Sequence, residues 1–171
     1  MKSIEEAIKT AIEFETRVRN VYSNALKRMK DEVGQRVFKV LAQEEQHHLD
    51  YLHTRLAEWQ KTGKVTAERL ETTMPPKQVI WQRSRELERR LAGTANKVEL
   101  ELLERALRVE QETSAFYRSL VDEVELEDRS LFARFLEIEE GHVAIVQAEI
   151  DALTHMGFWF DFPEFNLEAN A

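Results

Sequence analysis

The chain has 171 residues, 43% hydrophobic and 33% charged, with a net charge of −8. That length allows one domain with a sizeable core, and a content of only five Gly and three Pro favours long amphipathic helices over a sheet. The acidic balance, without a basic patch, argues against a nucleic-acid partner, and the lack of cysteine excludes disulfides, thiol catalysis and Cys-ligated zinc or iron–sulfur centres. The opening Met1-Lys2-Ser3-Ile4-Glu5-Glu6 has no apolar signal region, and no run is long enough to span a bilayer, so no membrane partner and a cytoplasmic location are expected.

Ser3-Ile4-Glu5-Glu6 predicts a capping box that opens a helix running to about Lys30. Ile8, Ile12, Glu15, Val18, Tyr22, Leu26 and Met29 share one face of that helix. A carboxylate therefore stands in an apolar stripe. The spacing predicts a second helix from about Asp31 to Lys61, with Gly34 in its first turn and Thr62-Gly63 as its stop. Only a tight turn separates the two, so they are expected to pack antiparallel. The second stripe is Leu41, Glu45, His48, Leu52 and Leu56, which sets Glu45-x-x-His48 among leucines. A shifted pair, Glu44-x-x-His47 on the stripe Val40, Glu44, His47 and Tyr51, is the alternative register, but the second half of the chain offers no counterpart to it.

Residues 62–95 form a connection far longer than neighbouring antiparallel helices need, so a crossover along the length of a bundle is expected. Met74-Pro75-Pro76 breaks any helix there. From Lys77 to Leu91 a short extra helix is predicted, with Ile80, Ser84, Leu87 and Leu91 on one face and Gly93 as terminator. Asn96-Lys97-Val98-Glu99 opens the third long helix, to about Val124, with the stripe Leu103, Leu107, Glu110, Ser114, Tyr117, Val121 and Val124. Asp128 is expected to cap the fourth, which runs to about His155 and ends at Gly157. Its stripe is Leu131, Phe135, Glu139, His142, Val146, Ile150 and Leu153. The tail, residues 158–171, carries Phe158, Trp159, Phe160, Phe162 and Phe165, too apolar to float free, and is expected to dock on this chain or on a partner.

The chain thus repeats itself. Glu15 and Tyr22 return as Glu110 and Tyr117 at an offset of 95, and Glu45 and His48 return as Glu139 and His142 at an offset of 94. Stranding an unpaired buried charge costs on the order of 3–5 kcal/mol, so inward carboxylates call for neutralisation. Two divalent ions would offset the four carboxylates, and oxygen and imidazole donors suit iron or manganese, with zinc also able to bind. A Glu from each of two helices with Glu-x-x-His from each of the other two is the ligand set of four-helix di-metal carboxylate sites. Tyr22 and Tyr117 are either core residues with satisfied hydroxyls or groups with a role at the site. His53 and His155 fall outside the pattern.

Taken together, these motifs resemble the ferritin-like di-iron family, and within it the rubrerythrins. Glu15-Thr16-Arg17-Val18-Arg19-Asn20-Val21-Tyr22 is similar to the first rubrerythrin helix motif and Leu41-Ala42-Gln43-Glu44-Glu45-Gln46-His47-His48 to the second. The resemblance spans about residues 4–61 and 96–155. It implies an all-α, ferritin-like four-helix bundle over residues 1–157, built of two helix pairs and the crossover. Glu15 and Glu110 would be terminal ligands, Glu45 and Glu139 would bridge, and His48 and His142 would each hold one of two iron ions. Tyr22 and Tyr117 would hydrogen-bond beside them as candidate catalytic groups. The implied activity is that of a di-iron oxidoreductase, peroxidase or ferroxidase in type, that reacts with hydrogen peroxide or dioxygen. It would work as a small homo-oligomer, a dimer first, fed by an external electron-donor protein. Iron storage of the ferritin or bacterioferritin type and a non-catalytic metal-binding bundle are the alternatives. Two departures stand out. Typical rubrerythrins append a cysteine-rich rubredoxin domain, and this chain has no cysteine. They also carry an extra Glu three residues after the third-helix ligand, where this chain has Thr113.

Overall fold

The computed structural model describes residues 2–66, 68–88, 96–156 and Trp159, with the backbone alone for residues 85–88 and 156. The described residues form five α-helices and no strand: α1 (Ile4–Leu26), α2 (Glu32–Thr62), α3 (Lys77–Glu88), α4 (Lys97–Glu123) and α5 (Arg129–Met156). No described helix is long and apolar enough to cross a membrane.

Local chemistry sets most of the boundaries. The Ser3 hydroxyl accepts from the Glu6 amide at 3.3 Å, and the Glu6 carboxylate accepts from the Ser3 amide at 3.3 Å, completing the capping box of α1. Asp31 caps α2 by accepting from the amides of Val33 and Gly34 at 2.8 and 2.9 Å. That cap needs extended backbone at Asp31 (φ −68°, ψ 132°), so α1 stops at Leu26, short of the expected Lys30. Gly63 ends α2 in the left-handed region at φ 67°, a conformation that costs glycine nothing. Asn96 accepts from the Val98 amide at 3.1 Å and opens α4. The expected features at Leu91, Gly93, Gly157, Phe158, Phe160, Phe162 and Phe165, and the side chain of Leu87, lie outside the described residues.

Helix α1 packs on α2, α4 on α5, and α1 on α4. All three pairs are antiparallel. Arg19 bonds Gln46 at 2.8 Å, Arg118 bonds Glu140 at 2.8 Å, and Arg17 pairs with Glu112 at 2.9 Å while Lys2 reaches Glu123 at 3.5 Å. Because α1 and α4 run in opposite directions, α2 ends where α4 does not begin, and the connection must travel lengthwise. Its waypoints are Glu68, held by Arg55 at 3.0 Å; Leu70, whose carbonyl accepts from Arg134 at 3.0 Å; Thr72 and Thr73 on Glu44; and Lys77 on Glu140. Helix α3 then lies on α5, with Ile80 buried.

The apolar core falls into two clusters. One takes Val18, Val21, Phe38, Leu41, Leu103, Ala106, Ile145 and Leu153, and the other takes Ile8, Ala11, Leu52, Leu120, Phe132 and Phe135. On all four long helices Glu15, Glu45, His48, Glu110, Glu139 and His142 occupy the positions between the two.

Trp159 shows one place where the tail docks. It is buried, donates its indole N–H to Glu99 at 3.1 Å, and meets Phe38 edge-on at 5.8 Å between ring centroids. A Cβ at Gly34 would come within 2.7 Å of both Met29 Sδ and Trp159 Cε2. Gly34→Ala is therefore expected to destabilise the protein by about 1–3 kcal/mol through overpacking, although helix propensity alone favours Ala by about 1 kcal/mol. Urea denaturation checks this; an Ala variant at least as stable as the parent would contradict the packing of Trp159 on this corner.

Candidate metal centre

Helical spacing brings the six side chains together. Glu15 on α1 and Glu110 on α4 each face a Glu-x-x-His pair, and all six are fully buried. His48 Nδ1 lies 3.1 Å from Glu15, 3.3 Å from Glu45 and 3.2 Å from Glu139. His142 Nδ1 lies 2.8 Å from Glu45, 3.7 Å from Glu110 and 3.8 Å from Glu139. The imidazoles stack at 5.4 Å with their planes 4° apart, and Phe135 closes on the edge of His48.

The two halves are tied reciprocally. Tyr22 of α1 donates to Glu110 of α4, and Tyr117 of α4 donates to Glu15 of α1. Tyr22 and Tyr117 are held far above the ordinary phenol range, first by burial and then by the neighbouring carboxylates, so both stay protonated donors.

The donor groups are far from satisfied. Both oxygens of Glu45 and of Glu139, Glu110 Oε2, both ring nitrogens of His142 and His48 Nε2 lack a hydrogen-bond partner. A single Nδ1–H on His48 cannot serve three carboxylates. Burial, then the neighbouring carboxylates, push Glu110 well above the usual carboxylate range, and the same forces push Glu139 to about 7. Glu45 is also raised well above it, by burial first, with His48 opposing and Glu15 reinforcing. Burial acts to raise Glu15 too, but the charge and hydrogen bond of His48 outweigh it and hold Glu15 low. Burial opposes the charged form of His48, yet Glu45 and Glu15 raise it well above the ordinary imidazole value. His142 is lowered, chiefly by burial.

Two overlapping sets emerge from this geometry. The ligand atoms of Glu15, Glu45, His48 and Glu139 lie within 4.8 Å of one another, and so do those of Glu45, Glu110, Glu139 and His142. Glu45 and Glu139 belong to both sets. No family model, no characterised protein and no solved structure matches the chain. The reading of the site therefore rests on its own geometry.

The structure separates the two registers on α2. His47 is exposed, as are His53 and His155, whereas Glu45 and His48 are buried. Glu44, the other half of the shifted pair, is buried all the same. It accepts from Thr72 Oγ1 at 2.5 Å and from Thr73 N and Oγ1 at 3.2 and 2.7 Å. The stripe Val40, Glu44, His47 and Tyr51 offered Glu44 only as a partner for His47, which is exposed; the crossover, not a helix, covers Glu44.

Proposed function

We propose that this chain is a ferritin-like, rubrerythrin-type di-metal protein that reduces hydrogen peroxide or dioxygen at a paired iron centre. The observation that carries the reading is a fully buried set of four carboxylates and two imidazoles whose ligand atoms fall into two overlapping groups, with oxygens left unsatisfied among the described residues. The residues fit such a pair. Glu15, Glu45, His48 and Glu139 would hold one ion, and Glu45, Glu110, Glu139 and His142 the other. Two divalent charges offset four carboxylates, and mixed oxygen and nitrogen donors suit iron or manganese. When bound, the iron pair would supply the electrons that reduce the oxidant.

The chain's own groups set the conditions for that chemistry. The Tyr22 and Tyr117 hydroxyls hold Glu110 and Glu15 in place and keep their protons beside the site. Burial between two apolar clusters excludes bulk water from the carboxylates. No cysteine is present in these 171 residues, so in this reading electrons reach the centre from a redox group outside them, for which an external donor protein is the expected source. The same reading carries the expectation of a small homo-oligomer, a dimer first, which light scattering checks; a mass of many subunits would favour storage instead.

Anaerobic Fe(II) titration tests the assignment. The expected result is two ions per chain, with most binding lost in Glu45→Ala/His48→Ala. Two tightly held ions in that double variant would show that the site lies elsewhere.

A further inference from the structure

Glu44 stands outside the six-residue set, yet one of its oxygens, one ring nitrogen of His48 and one of His142 lie within 4.8 Å of one another. The Nδ1 atoms of the two histidines are turned to the centre, at 3.1 Å from Glu15 for His48 and 2.8 Å from Glu45 for His142. Their Nε2 atoms are fully buried and have no hydrogen-bond partner. A ring that turns Nδ1–H to a carboxylate has its lone pair on Nε2 when neutral, and a cation bound at Nε2 displaces any second proton from that ring. No described residue donates to either Nε2.

We propose that Glu44, His48 and His142 form a third divalent-cation site, which captures a cation beneath the crossover before it enters the paired centre. Two imidazoles and one carboxylate, with coordination positions left open, are a known ligand set for Fe(II) and its neighbours. Glu44 accepts three hydrogen bonds from Thr72 and Thr73, and a carboxylate offers about four lone-pair positions, so its orientation is set without using up its capacity.

The position fits a role in uptake. Thr72 bonds Glu44 and also lines a cleft of about 570 Å³ with Pro75, Pro76, Glu137 and Glu140. Three basic groups line that cleft, and carboxylates offset two of them: Arg134 pairs with Glu137 at 2.7 Å and Lys77 with Glu140, while Arg69 is the third. From the cleft, Thr72 leads to Glu44, whose carboxylate lies within 4.8 Å of a ring nitrogen of each histidine. Each imidazole turns Nδ1 to the centre, so a captured cation is passed on and adds nothing to the final stoichiometry. The site shares His48 and His142 with the centre proposed above and rests on that reading only for the cation's destination.

Anaerobic titration with Co(II), followed by its visible absorption, tests the site in two arms. In Glu45→Gln/Glu139→Gln, which removes the carboxylates common to both inner sets, one Co(II) per chain should remain, and adding Glu44→Gln should abolish it. In the otherwise unaltered chain, Glu44→Gln should slow Co(II) uptake by about tenfold or more while the final stoichiometry stays at the parent's value. Circular dichroism monitors the fold. Glu44→Asp, which keeps the charge but withdraws the oxygens, should slow uptake as well and serves if the Gln variant does not fold. Parental uptake rates in these variants, or no Glu44-dependent Co(II) in the double variant, would overturn the capture site and leave the paired centre standing. Glu44-dependent binding of one Co(II), with no further ions in the parent chain, would uphold the capture site and sink the paired centre.

Discussion

As pH rises from about 6.5 to 8 the metal-free protein is expected to lose stability, at about 1.4 kcal/mol per pH unit for each proton that the native state alone retains. Glu45, Glu110 and Glu139 have folded pKa values raised above their ordinary ones, Glu139 from 4.5 to about 7. His48 is raised as well. A raised pKa means that the native state holds a proton the unfolded state has released. For Glu139 that contribution is complete below pH 4.5 and is lost as pH rises through about 7. The other raised groups carry the decline to higher pH. His142 and Glu15 are lowered and act in the opposite sense, but only as pH falls below their ordinary values of 6.5 and 4.5. Above pH 6.5 the slope therefore belongs to the raised groups. In a chain of this size each kcal/mol lost corresponds to roughly 2–4 °C in melting temperature. Mn(II) should reverse the slope, because its binding displaces those protons and strengthens as they leave. At free metal of roughly a thousand times Kd, each site adds about 4 kcal/mol. Differential scanning calorimetry at pH 6.5, 7.25 and 8, with and without Mn(II), reads both effects. A metal-free protein that gains stability over this range, or a melting temperature indifferent to Mn(II), would contradict the electrostatics of the centre.

Helical periodicity made much of this arrangement legible. The apolar stripes of the long helices each contain Glu, or Glu with His three residues on, and those six residues are the fully buried ones between the two core clusters. The antiparallel pairing and the lengthwise crossover follow from short and long connections, for which sequence distance is a sufficient guide. What escaped the sequence depends on contacts between distant segments. Glu44 is buried because Thr72 and Thr73 cover it, some 28 residues along the chain, and no helical period encodes that cover. The pairing of Tyr22 with Glu110 and of Tyr117 with Glu15 needs α1 and α4 to be adjacent and antiparallel, which the repeat alone does not fix. Gly34 could be recognised as an early-helix glycine, but its reason, the close approach of Trp159, is tertiary.

A di-ferrous form of this protein is expected to react with dioxygen and with hydrogen peroxide at comparable rates. The expectation turns on Thr113. In rubrerythrins, which this chain resembles, the residue three positions after the third-helix ligand is a Glu, and exchange between that carboxylate and a histidine accompanies their preference for peroxide. Here Thr113 is fully buried and its hydroxyl donates to the Val109 carbonyl at 2.9 Å, a bond back to its own helix. Glu112 cannot substitute for it, because its carboxylate faces outward and pairs with Arg17 at 2.9 Å, where both side chains are about half exposed. One step along a helix turns a side chain by about 100°, and no rotamer of Glu112 restores that. With no third-helix carboxylate to take over, His48 and His142 are expected to remain ligands in both oxidation states. Stopped-flow oxidation of the anaerobic ferrous protein decides the matter, and a peroxide rate orders of magnitude above the dioxygen rate would sink it. Thr113→Glu then tests the cause. A longer side chain in this packed layer costs about 1–3 kcal/mol, and its carboxylate is stranded unless metal is bound. The variant should therefore melt lower than the parent when metal-free and recover part of the loss on loading. Its peroxide rate should rise while its dioxygen rate stays near the parent's, a split that packing damage alone would not produce.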